Sequence, residues 1–519
     1  MSHRRTVTLI ALAVTTASIV TAGAIAAARD QDRGGDERAD GGTDLSVTPI
    51  DDAADPASGD GAATTVPAAP TTTTRPPFDG FVDPLSAGEP YGDTVEGVLT
   101  FRGNPTRTYY GDGPVPDTPT IRWRFPETGG LCAPARGDPQ VRCGTGWTGQ
   151  PSVFERDGRT WITFGAYDRA VHVLDADTGE RIKPDFVTGD HIKGSGTIDP
   201  DGYPLLYIGS RDDNLRVLAL DRDELVELWR LPASAVSPTL WNDDWDGAPL
   251  VVGDFLIAGG ENSWIHAVRL NRAYDADGRV SVDPELVWAA PGWDDELLAA
   301  LPDRTVSIET SVAISGDVAY VANSGGLVTG WDLAPLRSGG DPTRVFRFWT
   351  GDDTDASVVV DEDGYLYVGS EFERGLARAR EVGQIMKLDP GRPDDPLVWS
   401  VDDAATNPAG IWATPAIHRD LVIVPTNGGR VLGLDRETGA QRWSFTLPGP
   451  TWQSPVVVDD VLLQGDCAGT LHAYDVSDTT IRPPELWALE LGGCIESTPT
   501  VWDGRIYVGT RIGAFFAIE

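Results

Sequence analysis

The sequence predicts an all-β chain whose body is an eight-bladed β-propeller of four-stranded blades, the ring closed by an N-terminal strand that completes the last blade. Three observations lead there. Apolar residues alternate at period two, with turn residues every 8 to 12 positions or so, the pattern of a strand meander. A proline or small residue that opens such a meander recurs at Pro151, Gly196, Pro249, Val312, Ser357, Pro415, Pro455 and Pro499. The last copy ends after three strands, and a strand of the missing type lies at the far end of the chain.

The chain begins with a basic flank, His3-Arg4-Arg5, followed by an uncharged run from Thr6 to Ala28. That run is long enough to cross a bilayer, but Ala22-Gly23-Ala24 offers a cleavage site, so residues 1–29 read as a signal-anchor helix or a signal peptide. Both readings export the rest of the chain. The protein is expected outside the cytoplasm, either anchored to the cell membrane with its N-terminus inside or secreted. Residues 30–88 are rich in Asp, Gly, Pro and Thr and read as a disordered acidic linker, because such a segment buries too little apolar surface to offset its ordering entropy.

Residues 89–519 hold the repeat. Its clearest copy runs Thr414-Pro415-Ala416-Ile417, Leu421-Val422-Ile423-Val424, Arg430 to Asp435 and Arg442-Trp443-Ser444-Phe445. Longer intervals between copies mark insertions at 274–284 and 373–381. In the eighth copy the strands near Val501, Tyr507 and Phe515 lack a Trp strand after them. Thr120-Ile121-Arg122-Trp123-Arg124-Phe125 supplies one, and pairing it with the C-terminal strand removes two open sheet edges. Trp123, Trp229, Trp288, Trp349, Trp399, Trp443 and Trp487 recur in or beside fourth strands, where large flat rings can pack against the next blade.

The segment Gly433-Leu434-Asp435-Arg436-Glu437-Thr438-Gly439-Ala440-Gln441-Arg442-Trp443 resembles the A-x-D-x-x-T-G-x-x-x-W repeat of the PQQ-like (quinoprotein dehydrogenase-like) β-propellers. Val173 to Gly179 is a second copy without the Trp, and Phe101-Arg102-Gly103-Asn104 resembles a lead-in found before many such propellers. In the family's enzymes PQQ and Ca²⁺ lie at one end of the channel, served by a stacking Trp, carboxylate and amide ligands and a catalytic Asp. By position the resemblance implies Trp412 or Trp452 for stacking and Glu309 or Glu496 for ligation. The family's metal and base motif has no residue-by-residue match here, so no cofactor and no metal site is expected, and no catalytic residue is assigned. A PQQ- and Ca-dependent dehydrogenase is the alternative.

Four cysteines in an exported chain read as two disulfides. Cys132 and Cys143 share one loop. Cys467 and Cys494 lie in loop types that share one face of a propeller, which gives the pairs 132–143 and 467–494.

The candidate site is the channel mouth. Three residues before each opening position stand Thr148, Lys193, Asp246, Glu309, Thr354, Trp412, Trp452 and Glu496. Equivalent positions of a closed ring converge on its axis, and this column is charged or aromatic where its neighbours are small. Carboxylates and indoles at a channel mouth suit a polar or cationic ligand. The runs at Asp199 and Asp361 suggest calcium loops but fall where Asp-Gly closes a hairpin. His172, His266 and His472 read as packed residues. A formal net charge of −38, from 41 Lys plus Arg against 79 Asp plus Glu, excludes a nucleic-acid partner, which would need a basic face. The expectation is a monomeric, non-catalytic binding or scaffold module that presents its mouth loops to an envelope protein, a glycan or a small ligand.

Overall fold

A computed structural model describes residues 78–146, 149–405 and 408–519. The export segment 1–29, the linker to residue 77, and the loop residues Trp147 and Thr148 lie outside the described residues. Among the described residues no helix is long and apolar enough to cross a membrane.

Eight antiparallel sheets follow one another along the chain as the blades of a propeller ring. Their inner strands are Ser152–Arg156, Thr197–Ile198, Leu250–Val252, Ala313–Ser315, Val359–Val360, Ala416–His418, Val456–Val458 and Thr500–Trp502, which number blades 1 to 8 in that order, and in blade 1 the short strand Gly97–Val98 adds a fifth strand beside Ser152–Arg156. Each starts one or two residues after its predicted opening position. Proline is tolerated there because the first residue of a strand can do without a donor. Its carbonyl still accepts and ties neighbouring blades together: Thr197 Oγ1 donates to Pro249 O at 2.6 Å, and Thr500 Oγ1 to Pro151 O at 2.7 Å.

The eighth sheet takes three strands from residues 500–518 and its outer strand from Ile121–Phe125. Ile121 lies opposite Ile518 and Phe125 opposite Phe515. Phe515 then stacks on Phe164 of blade 1, with ring centroids 4.1 Å apart and planes at 6°. The core lies between blades throughout. Val359, Tyr367 and Trp399 of blade 5, for example, form one apolar cluster with Val422, Leu432 and Leu434 of blade 6.

The repeat motif is a docking device. Asp435 Oδ1 accepts from the Thr438 backbone N–H at 2.8 Å and from its hydroxyl at 2.7 Å, which shapes the turn. Gly439 follows with φ +73°, and a Cβ there would lie 2.7 Å from the Trp399 ring of the preceding blade. Trp399 Nε1 donates to Arg436 O at 3.2 Å. Trp123 makes the same arrangement with Gly179 and Ala176 O of blade 1.

The insertions fold locally, as a small hairpin (Ala273–Tyr274 with Val280–Ser281) and a short helix (Ala377–Val382). Asp199 and Asp361 each accept from a backbone N–H two residues on, from a tyrosine hydroxyl, and pair with Arg272 and Arg436 respectively, so both close turns. His172 is held between Asp185 at 3.0 Å and Asp168, and His266 is buried. Residues 78–88, which the composition places in the linker, carry the buried Val82, whose N–H donates to Gly316 O of blade 4 at 3.0 Å.

The lead-in segment has a role that the repeat pattern does not suggest. Residues 91–112 run through the middle of the ring. Backbone or side-chain hydrogen bonds join this stretch to Glu155, Ile198, Val251, Ile314, Val360, Ile417 and Val501, the inner strands of blades 1 to 6 and 8. Arg102 donates to Pro415 O at 2.7 Å and to Pro455 O, which adds blade 7. Arg107 donates to Val312 O at 2.9 Å through Nε. Both side chains are wholly buried. The channel is filled from within by its own lead-in, and the mouth is a blind recess above it.

Candidate functional site: the channel mouth

Two loop types build the mouth. The loops leading into the first strands carry the predicted column. The hairpins after the second strands carry a second column, two residues beyond the terminal glycine: Glu261 after Gly259, Glu371 after Gly369 and Arg511 after Gly509. Partners from the two columns meet across the mouth.

The first group centres on Lys193. Its ammonium touches Asp246, lies 3.2 Å from Glu261 Oε1 and 3.9 Å from Asp244 Oδ2. Oxygens of Asp246, Glu261 and Glu309 all lie within 4.8 Å of one another. Glu309 accepts from the Ser307 hydroxyl at 2.9 Å, and Arg211 pairs with Asp244 at 2.7 Å. Burial pushes Glu261 well above the usual carboxylate range against the pull of Lys193, raises Glu309, and raises Asp244 to about 6. Burial acts the other way on Lys193, but the surrounding carboxylates outweigh it and hold the ammonium well above its ordinary value.

The second group is Asp353, Asp355 and Glu371, again with oxygens within 4.8 Å of one another. Trp412 Nε1 donates to Asp355 Oδ2 at 2.9 Å, and Asn427 Nδ2 donates to Glu371 Oε2 at 3.2 Å. Arg374 reaches Asp353 at 4.0 Å while also pairing with Asp303 and Asp352. Burial, reinforced by neighbouring carboxylates including Glu309, pushes Asp355 and Glu371 well above the usual range. Trp412 and Trp452 meet edge to face, their centroids 5.4 Å apart. With Asp355 and Phe101 of the lead-in segment they line a recess in the mouth.

Of the predicted residues, Lys193, Asp246 and Glu309 come together in the first group, and Trp412 and Trp452 stand together beside the second. Glu496 belongs to neither group and pairs with Arg511 at 3.7 Å. Glu261, Asp353, Asp355 and Glu371 escaped the sequence reading. The position two beyond the second-strand glycine would have found Glu261 and Glu371. Asp353 and Asp355 flank the column residue Thr354. Asp294 belongs to neither group: it caps the helix Asp295–Ala300 and pairs with Arg347 at 2.8 Å.

The arrangement suits positive charge. PQQ is a flat polyanion, and the mouth does not fit it: carboxylates dominate, Lys193 and Arg374 are already engaged by them, and the two indoles pack against each other instead of opening a parallel slot.

Comparison with known proteins agrees with the fold. Residues 381–482 match the family model described as outer membrane protein assembly factor BamB. No curated protein matches the chain. Among solved structures, a europium-containing methanol dehydrogenase superposes with a TM-score of 0.55 at 13% identity, over 84% of this chain and 99% of that one. The quinohemoprotein alcohol dehydrogenase of Comamonas testosteroni gives 0.51 at 15% identity, over 81% and 80%. The eight-bladed ring and these likenesses show a β-propeller fold similar to that of the quinoprotein dehydrogenases, and the family match covers residues 381–482.

Proposed function

We infer that the chain is an extracytoplasmic binding or scaffold module, tethered through its N-terminal segment, that engages an envelope protein, a glycan or a small ligand through the channel mouth. One observation carries the reading: residues from separate blades meet at the mouth, Lys193, Asp246 and Glu309 in a charged group and Trp412 and Trp452 in a recess beside Asp355. Structural repeat positions with no ligand have no reason to gather buried charge, which costs free energy unless it is compensated. The match of residues 381–482 to an assembly-factor family supports a binding role. Two disulfides, Cys132–Cys143 and Cys467–Cys494, support an oxidising compartment. The alternative, a PQQ- and Ca-dependent dehydrogenase, has the shared ring in its favour and the charge of the mouth against it.

The test is retention of a partner from envelope extract by the full chain. A partner kept by the native chain is expected to be lost by a Trp412→Ala/Trp452→Ala variant with unchanged circular dichroism. Equal retention by that folded variant contradicts the reading.

A further inference from the structure

The two carboxylate groups of the mouth are built alike and filled differently. In the first, the chain supplies its own cation: a primary ammonium, on one of only three lysines in 519 residues, sits among Asp246, Glu261 and Asp244. In the second, three carboxylates face one guanidinium that is shared with Asp303 and Asp352. Among the described residues no lysine or arginine pairs with Asp355 or Glu371. Asp355 is 8% exposed and lines the recess, and its buried Oδ1 accepts from no N–H or hydroxyl among the described residues, the carboxyl standing against that of Asp353. A buried acceptor of this kind is costly to leave unmade.

Resting on the binding reading above, we propose that the second group takes the primary ammonium of a ligand, an alkylamine or a lysine side chain presented by a partner. The walls decide between an organic cation and a hard metal ion. Ca²⁺ takes about six to eight oxygens. Here one oxygen of Asp355 and one of Glu371 already accept from Trp412 and Asn427, and the rest of the recess is two indoles, the Phe101 ring and the hydroxyls of Ser357, Thr414 and Ser454, whose oxygens already accept backbone N–H groups. Aromatic faces attract ammonium groups and cover the methylenes behind them. Lys193 shows an ammonium held among carboxylates in the neighbouring group. Ligand binding supplies the missing positive charge and a donor for Asp355 Oδ1.

The probe is n-butylammonium chloride, titrated into the full chain by calorimetry at neutral pH, with n-butanol as the uncharged isostere and CaCl₂ as competitor. One butylammonium per chain is expected, with no measurable butanol binding and no displacement by millimolar Ca²⁺. Asp355→Asn is expected to weaken binding at least tenfold. Butanol binding as tightly as the amine, complete displacement by Ca²⁺, or unchanged affinity in Asp355→Asn overturns the proposal. The butanol and Ca²⁺ arms need only the native chain, so they decide even if the variant does not fold. If butylammonium does not bind while partner retention still depends on Trp412 and Trp452, this inference fails and the binding reading stands.

Discussion

Arg107 shows how much one side chain can hold. Its guanidinium is wholly buried with no carboxylate against it, and burial pushes its pKa down to about 9. Its charge rests on backbone carbonyls: Val312 O at 2.9 Å, Phe101 O at 2.6 Å and Ala248 O at 3.3 Å. Two of these belong to the approaches of blades 3 and 4, far away in sequence. Hydrogen bonds to charged groups contribute about 1.5–3 kcal/mol each, and a buried acceptor left bare costs a comparable amount. Arg107→Met is therefore expected to destabilise the propeller by about 3 kcal/mol, read as a lowered thermal midpoint. Arg107→Lys should recover only part, since a point-like ammonium cannot reproduce the fork. Stability equal to native in the Met variant would show that the central segment does not hold the ring. This role was not legible in the sequence. Phe101-Arg102-Gly103-Asn104 stood out as a lead-in, but its partners are main-chain oxygens, which carry no residue signature.

At the scale of the blade, the sequence was most readable. The opening positions, the Trp strands and both disulfide pairs were all visible in spacing, because strand alternation and turn chemistry act locally. The mouth was half readable. A column defined by one offset from the proline found Lys193, Asp246, Glu309, Trp412 and Trp452, whereas Glu261 and Glu371 lie on a different loop type and meet the first column only in three dimensions. The docking role of the repeat can be tested with two glycines. Gly364 and Gly439 both have positive φ, +84° and +73°, but a Cβ on Gly364 meets open space and one on Gly439 meets the Trp399 ring. Gly364→Ala should cost about 1–2 kcal/mol, the ordinary penalty for a left-handed residue. Gly439→Ala should cost about 1 kcal/mol or more beyond that, because the ring must shift from a well-packed site. Equal losses in the thermal midpoint would mean that the Trp–Gly contact contributes nothing to blade docking.

For the whole molecule, the strand Ile121–Phe125 meets the C-terminal strand in blade 8, and both disulfides lie at the hairpin of that blade. Leu131, beside Cys132, donates to Gly513 O at 2.9 Å, and Arg511 donates to Cys494 O at 2.9 Å. The acidity of the chain also gains a location. Some of it is surface charge, but seven carboxylates (Asp244, Asp246, Glu261, Glu309, Asp353, Asp355 and Glu371) converge on the mouth, over a channel sealed by its own lead-in. Among the described residues Lys193, Arg211 and Arg374 pair with them. A surplus of carboxyl groups over cations, held above a blind floor with burial raising their pKa values, is the central feature of this propeller, and a cationic ligand would stabilise their ionised form. The most direct measurement is a crystal structure of the full chain grown with saturating n-butylammonium. The account predicts density for the amine in the recess beside Trp412 and Trp452, with its nitrogen about 3 Å from Asp355 Oδ1 and a Glu371 oxygen. A recess that holds only solvent at saturating amine, with Asp355 and Glu371 placed as described here, would contradict it.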